Sequence, residues 1–219
     1  QMCIRDRVEA DDRLLAGLGR PRCGHLDVSG APPFDHISPV SSSPITCGTS
    51  GRTRGLFGQT DGSVVSHTGD VLSVENGSIE HLTCMVKGYV ATTDNGLAVG
   101  RTETGEQCWS SEGAPVAAQT EAMEHEGASL LWLARAEGAG SSVHVWATNQ
   151  GGMVASGTFP KVRSMDGTAE RAVVGCEDGS VHVWDRTMLQ RRLANQAAPS
   201  EGVDERTSAL QAKLRALRR

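Results

Sequence analysis

Short apolar, β-branched runs alternate along this chain with turns that carry glycine. The pattern is clearest in two places. Residues 130–134 are apolar, Gly138-Ala139-Gly140 follows, and then comes Ser142-Val143-His144-Val145-Trp146. Residues 172–175 are apolar, Glu177-Asp178-Gly179 follows, and then comes Ser180-Val181-His182-Val183-Trp184. The two pentamers are identical and lie 38 residues apart. Two β-branched runs joined by a short Gly-containing turn predict a hairpin, because such turns need the positive φ that Asp-Gly tolerates. The same run, turn and run recur at residues 55–65 around Asp61-Gly62 and at residues 88–99 around Asp94-Asn95-Gly96. A weaker copy runs from residues 14–18 through a turn ending at Gly24 to residues 25–28.

Measured between the turn glycines Gly24, Gly62, Gly96, Gly140 and Gly179, the intervals are 38, 34, 44 and 39 residues. That spacing fits a unit of four short strands, whose best-known form repeats every ~40–45 residues. Residues 71–74, 107–110 and 153–159 supply a strand after three of the hairpins, and residues 80–86, 116–121 and 161–165 supply one before the next. No segment before residue 200 shows a sustained helical apolar stripe, which disfavours a helical solenoid of similar period. The expectation is an all-β chain, a partial β-propeller of about four or five four-stranded antiparallel blades.

Glu177-Asp178-Gly179-Ser180-Val181-His182-Val183-Trp184-Asp185 resembles the end of a WD40 repeat, including the Trp-Asp dipeptide and the six-residue spacing from Asp178 to Trp184. The resemblance implies a WD40-like propeller whose turn aspartates, turn glycines and strand tryptophans are structural. On this chain those positions are Asp61, Gly62, Asp94, Gly96, Gly140, Trp146, Asp178, Gly179, Trp184 and Asp185. His67 and Gly100 stand where a tryptophan would follow the earlier turns.

Residues 1–7, Gln1-Met2-Cys3-Ile4-Arg5-Asp6-Arg7, resemble translated sequencing-adapter sequence and are set aside from fold reasoning. The propeller region is expected over residues 8–194, a small and polar linker over 195–203, and an amphipathic helix over 204–219. In that helix Leu210, Leu214 and Leu217 share a face and basic residues gather at the end, in accord with the helix dipole. It is expected to pack on the propeller, begin a coiled coil, or fray. An arc of blades without its upstream neighbours leaves a sheet face uncovered, so this piece is expected to be unstable alone.

A formal net charge of -5 disfavours a nucleic-acid coat, which needs clustered Lys and Arg. The apolar runs are far shorter than the ~20 residues a membrane-spanning helix requires. Cys23, Cys47, Cys84, Cys108 and Cys176 are dispersed and form no CxxC pair, which favours a reducing compartment, cytoplasmic or nuclear. His144 and His182 occupy equivalent strand positions and would point the same way, so they are read as structural rather than as a shared metal site. The acidic segment at residues 121–126 reads as a solvated loop or a strand at the blade end, and no nucleophile-elbow pattern opens a helix. No catalytic residue, metal or cofactor is therefore expected.

These readings converge on a scaffold that binds other proteins. A propeller with a coiled coil in a trafficking, ciliary or cytoskeletal complex is one alternative, with self-association through the C-terminal helix. A propeller enzyme or ligand-binding propeller using its central channel is another.

Overall fold

The computed structural model describes residues 6–10, 13–17, 23–27, 35–36, 43–50, 55–125, 127–148 and 151–197, with backbone alone for 6–36 and 192–197. Strands follow one another in chain order as antiparallel meanders. The first sheet holds β1 (Asp6–Ala10), β2 (Arg13–Gly17), β3 (Cys23–Asp27) and β4 (Asp35–His36); the second holds β5 (Ile45–Ser50), β6 (Gly55–Gln59), β7 (Ser63–Ser66) and β8 (Val71–Val74). The third holds β9 (Ile79–Met85), β10 (Gly88–Thr93), β11 (Ala98–Arg101) and β12 (Gln107–Ser111). In the fourth are β13 (Val116–His125), β14 (Ala128–Glu137), β15 (Gly140–Ala147) and β16 (Gly152–Pro160). The fifth has three strands, β17 (Val162–Gly167), β18 (Arg171–Cys176) and β19 (Val181–Asp185), after which the chain enters α1 (Arg186–Ala197).

The first strand of each sheet packs against the first strand of the next: β1 on β5, β5 on β9, β9 on β13, β13 on β17. These strands are therefore innermost, and the sheets stand around them as the blades of a β-propeller arc. The second strands of the second, third and fourth sheets, β6, β10 and β14, are buried on both faces, which is why residues 130–134 read as an unbroken apolar run rather than an alternation. Period-two geometry sends Leu131 and Leu133 toward the third sheet, with Val90, Ala98 and Trp109, and sends Leu130, Trp132 and Ala134 toward the fifth, with Val162, Val174 and Leu189. Trp146 packs on Trp109 of the preceding sheet at 5.1 Å between ring centroids with the rings tilted by 58°, and Trp184 meets Trp132 edge-on at 6.0 Å. Burial of these rings between blades joins the repeats into one core.

Three of the hairpin turns are the same object. Gly62, Gly96 and Gly179 have φ of 87°, 84° and 83°, and each donates its N–H to the carbonyl three residues back. The side chain just before the glycine then accepts from the backbone just after it: Asp61 from Ser63 at 3.0 Å, Asn95 from Leu97 at 3.2 Å, Asp178 from Ser180 at 2.9 Å. A further bond ties each of these hairpins to the residue just before its own innermost strand, from Thr60 to Pro44, Asp94 to Ser78 and Glu177 to Lys161, and in the fourth sheet Ala136 donates likewise to Pro115.

Four details differ from the sequence reading. Asn95, not Asp94, fills the turn-acceptor position, because the glycine follows Asn95 directly. In the fourth sheet the left-handed residue is Gly138, with φ 54°, whereas Gly140 is the first residue of β15. Gly24 lies inside β3 rather than at the end of a turn. Finally, α1 forms before residue 200 and crosses the boundary drawn at 194. Asp185 caps its start: the carboxylate accepts from the Met188 N–H at 3.1 Å and from the Thr187 hydroxyl, and Leu189 is driven into the core.

Candidate interaction surface

At one end of the arc the innermost strands stop around a cavity of about 440 Å³. Its wall comes from successive sheets: Ser50 from β5, Met85 and Val86 at the end of β9, Glu121 to Glu124 in β13, and Gly167 and Thr168 at the end of β17. Val86 is 49% exposed, an uncommon position for a large aliphatic side chain. The wall is apolar at Met85 and Val86, and acidic at Glu121 and Glu124. Lys87, the next residue along the turn, lines instead an adjoining cleft of about 90 Å³ with Tyr89, Arg101 and the exposed Cys108.

A bulge in β13 shapes this mouth. The pairing of β13 with β14 slips between Glu121 and Glu124, and Met123 takes φ 63°, the one positive φ of a non-glycine among the described residues. Such a conformation is uncommon for a side chain of this size and persists only where its surroundings fix it. Here three contacts do so. The Met123 N–H donates to the Thr168 carbonyl of the next sheet at 2.8 Å, and the Trp132 indole donates to the Ala122 carbonyl at 3.2 Å. The third is steric: a Cβ on Gly167 would lie 2.2 Å from the Ala122 Cβ, so only glycine lets β17 come this close. The bulge turns the Met123 side chain into the core, where it is 1% exposed, and keeps Glu121 and Glu124 at the cavity wall.

Polar clamps hold the blades that bear the mouth. Glu75 follows β8 and receives a two-pronged bond from Arg101 at the end of β11, at 2.5 Å from Nε and 2.9 Å from Nη2; Arg101 also donates to the Gly105 carbonyl at 2.8 Å. The hydrogen bond to Glu75 raises the Arg101 pKa, against desolvation. Arg135 is 4% exposed and donates to the carbonyls of Gly96 and Ala114 at 2.7 Å and of Ser111 at 3.0 Å, stitching β14 to the third sheet; burial lowers its pKa. Gln119 of β13 bridges to Thr83, Thr92 and the Val90 carbonyl of that sheet.

The residues predicted from the repeat sit in the framework of the arc rather than in this mouth. Asp61, Gly62, Asp178 and Gly179 make turns, Trp146 and Trp184 pack between sheets, and Asp185 caps α1. His67, read as standing in a tryptophan position, accepts from the Gly55 N–H at 3.2 Å and so closes the hairpin of β6 and β7. His144 lies 6.5 Å from Trp146 on its own strand and His182 lies 5.1 Å from Phe159. No cluster of metal-capable side chains occurs among the described residues. The residues of the mouth carried no motif; the one hint was the acidic run at 121–126. The helix expected over 204–219 lies outside the described residues.

No protein-family model matches the chain, and no curated protein matches it. Solved structures do. The chain is similar to BBS1N as seen in its complex with ARL6DN, at 16% identity and a TM-score of 0.64, over 78% of this chain and 55% of that one. It is similar to a chain of the mitotic checkpoint complex at 11% identity and a TM-score of 0.64, over 82% and 62%, and to the computationally designed Ika8 protein at 15% identity and a TM-score of 0.57, over 84% and 71%. The chain thus spans little more than half the length of BBS1N. At these identities the likeness is one of fold.

Proposed function

We propose that this chain is part of a WD40-like propeller scaffold that seats a projecting segment of a partner protein at the mouth built by β9, β13 and β17. The observation that carries this reading is the mouth itself: a cavity of about 440 Å³ walled by Met85, Val86, Glu121 and Glu124 and held in shape by the Met123 bulge. Its chemistry suits a basic segment flanked by aliphatic residues, whose cation meets the exposed Glu124 carboxylate while its apolar neighbours cover Val86. Such a partner gains orientation from charge and most of its affinity from buried apolar contact. Further support comes from the turn at Asp178-Gly179-Ser180 with Trp184, and from similar propellers that occur in complexes with other proteins. A cytoplasmic or nuclear location fits cysteines that are dispersed along the chain with no CxxC pair, and belongs to the same proposal.

The experiment is comparative capture from cell extract with the full chain and with a Val86→Asp, Glu124→Lys variant. Proteins retained by the first and lost from the second, with the fold unchanged by circular dichroism, support the reading. Equal capture by both places the binding surface elsewhere, and turnover of a small substrate without protein capture overturns it.

A further inference from the structure

The dipeptide Asn-Gly occurs twice in the chain, at Asn76-Gly77 and at Asn95-Gly96. In such a pair the backbone nitrogen after the asparagine can attack the side-chain amide, because glycine has no Cβ to shield it. Both asparagines are exposed, so access to water does not separate them. Hydrogen bonding does. At the second pair the Gly96 N–H is committed to the Thr93 carbonyl at 3.0 Å. The Asn95 side chain is held at both ends: Oδ1 accepts from the Thr93 hydroxyl at 2.5 Å and from the Leu97 N–H at 3.2 Å, and Nδ2 donates to the Asn76 carbonyl at 2.8 Å. To react, Asn95 must break its own turn. The first pair lies in the bend between β8 and β9, where Gly77 has φ 116°. Among the described residues neither the Gly77 N–H nor the Asn76 side-chain amide has a hydrogen-bond partner.

We propose that Asn76 is a site of spontaneous covalent modification, deamidation through a succinimide, from which Asn95 is protected by its turn. The Gly77 nitrogen gives up its proton to solvent base and attacks Asn76 Cγ. The new N–C bond closes the succinimide ring, and the side-chain nitrogen takes up a proton and leaves as ammonia. Water then opens the ring at either carbonyl. Attack at Cγ restores the ordinary backbone with aspartate in place of Asn76, whereas attack at the backbone carbonyl leaves isoaspartate, with an extra methylene in the main chain. The net change is amide plus water to acid plus ammonia, with no other co-reactant. The bend is pinned between two blades: the Glu75 N–H donates to the Gly62 carbonyl and the Asp94 N–H to the Ser78 carbonyl, each at 2.9 Å. A Cβ on Gly77 would lie 2.5 Å from Asp94 Oδ1, so a carboxylate at position 76 adds negative charge where Asp94 already sits. The longer main chain of isoaspartate pulls on both ties. Deamidation therefore loosens the joint between the second and third blades. The site is separate from the mouth and stands or falls independently of it.

Peptide mass spectrometry of the full 219-residue chain, held in mildly alkaline buffer both folded and in urea, tests it. In the folded chain conversion at Asn76 should outpace conversion at Asn95 by at least about tenfold, the factor set by the hydrogen bonds that Asn95 and Gly96 must give up. Both isoaspartate and aspartate should appear at position 76. In urea the difference between the two sites should disappear. Aged wild type should unfold at lower urea than fresh protein, and Asn76→Gln, which keeps the backbone carbonyl that Asn95 uses, should not change on ageing. Equal conversion at the two sites of the folded chain overturns the proposal, as does faster conversion at Asn95. So does an intact Asn76 in the folded chain when the urea sample converts, or aspartate without isoaspartate, which marks direct hydrolysis. Unchanged urea unfolding of fully converted protein overturns the loosening of the blade joint.

Discussion

Removing the Glu75 carboxylate should loosen the second blade from the third by a predictable amount. The Glu75 side chain is 4% exposed and that of Arg101 16%, so the pair is largely desolvated. Glu75→Gln keeps the shape but leaves Arg101 one weak acceptor in place of two charged ones, with only the Gly105 carbonyl retained. Breaking a buried pair from one side costs about 3–5 kcal/mol, and partial water access to Arg101 reduces this to about 2–3 kcal/mol. Replacing both residues, as Glu75→Met with Arg101→Met, removes the uncompensated charge and should recover most of that loss. Urea unfolding of the wild type, Glu75→Met, Arg101→Met and the double variant measures the coupling directly. The raised Arg101 pKa adds stability that is present below the ordinary guanidinium value and lost only as pH rises through the still higher folded value, so the effect should be unchanged across neutral pH. A loss below about 0.5 kcal/mol in Glu75→Gln, or strict additivity in the double variant, would refute the claim that this pair clamps the blades.

Other expectations follow from the mouth and the turns. Gly167→Ala should cost about 1–3 kcal/mol in thermal or urea unfolding, since its Cβ would collide with Ala122, and should weaken partner capture. Trp132→Phe orphans the Ala122 carbonyl under the bulge and should cost about 1–3 kcal/mol, with faster amide exchange at Met123. Asp185→Ala should lower helicity and amide protection in α1 while leaving the β18 to β19 ladder intact. Burial and then Arg135 hold the His144 pKa below 6.5, so its contribution is lost as pH falls below that value; His144→Gln should flatten the pH dependence of stability there. Asp178 and Asp185 are held below 3.8 by hydrogen bonds from Ser180 and Thr187. At Asp61 burial opposes ionisation but bonds from Ser43 and Ser63 prevail, so stability from all three should fall away below about pH 4.

The β architecture was legible because its signals are local. The repeated Ser-Val-His-Val-Trp, the glycine turns and the period-two runs place β6, β7, β10, β11, β14, β15, β18 and β19 close to where they lie. What the sequence hides is long-range. Arg135 looks like a charge closing an apolar strand, yet it is buried against three carbonyls from another sheet. The bulge at Met123 depends on Thr168 and Gly167, over forty residues onward, and no local pattern announces it. The start of α1 is fixed by the Asp185 cap and by Leu189 in the core, neither of which makes a periodic stripe. The mouth was hidden for the same reason, since its residues come from the ends of separate blades.

The most direct measurement is site-specific photo-crosslinking in cells, with a photoreactive residue replacing Val86 at the mouth and, as control, Val74 on the outermost strand of the second blade, each largely exposed. The expected result is a discrete adduct at position 86 that maps to a basic segment of another protein and is lost with Glu124→Lys. Adducts at position 74 with none at 86 would contradict the account.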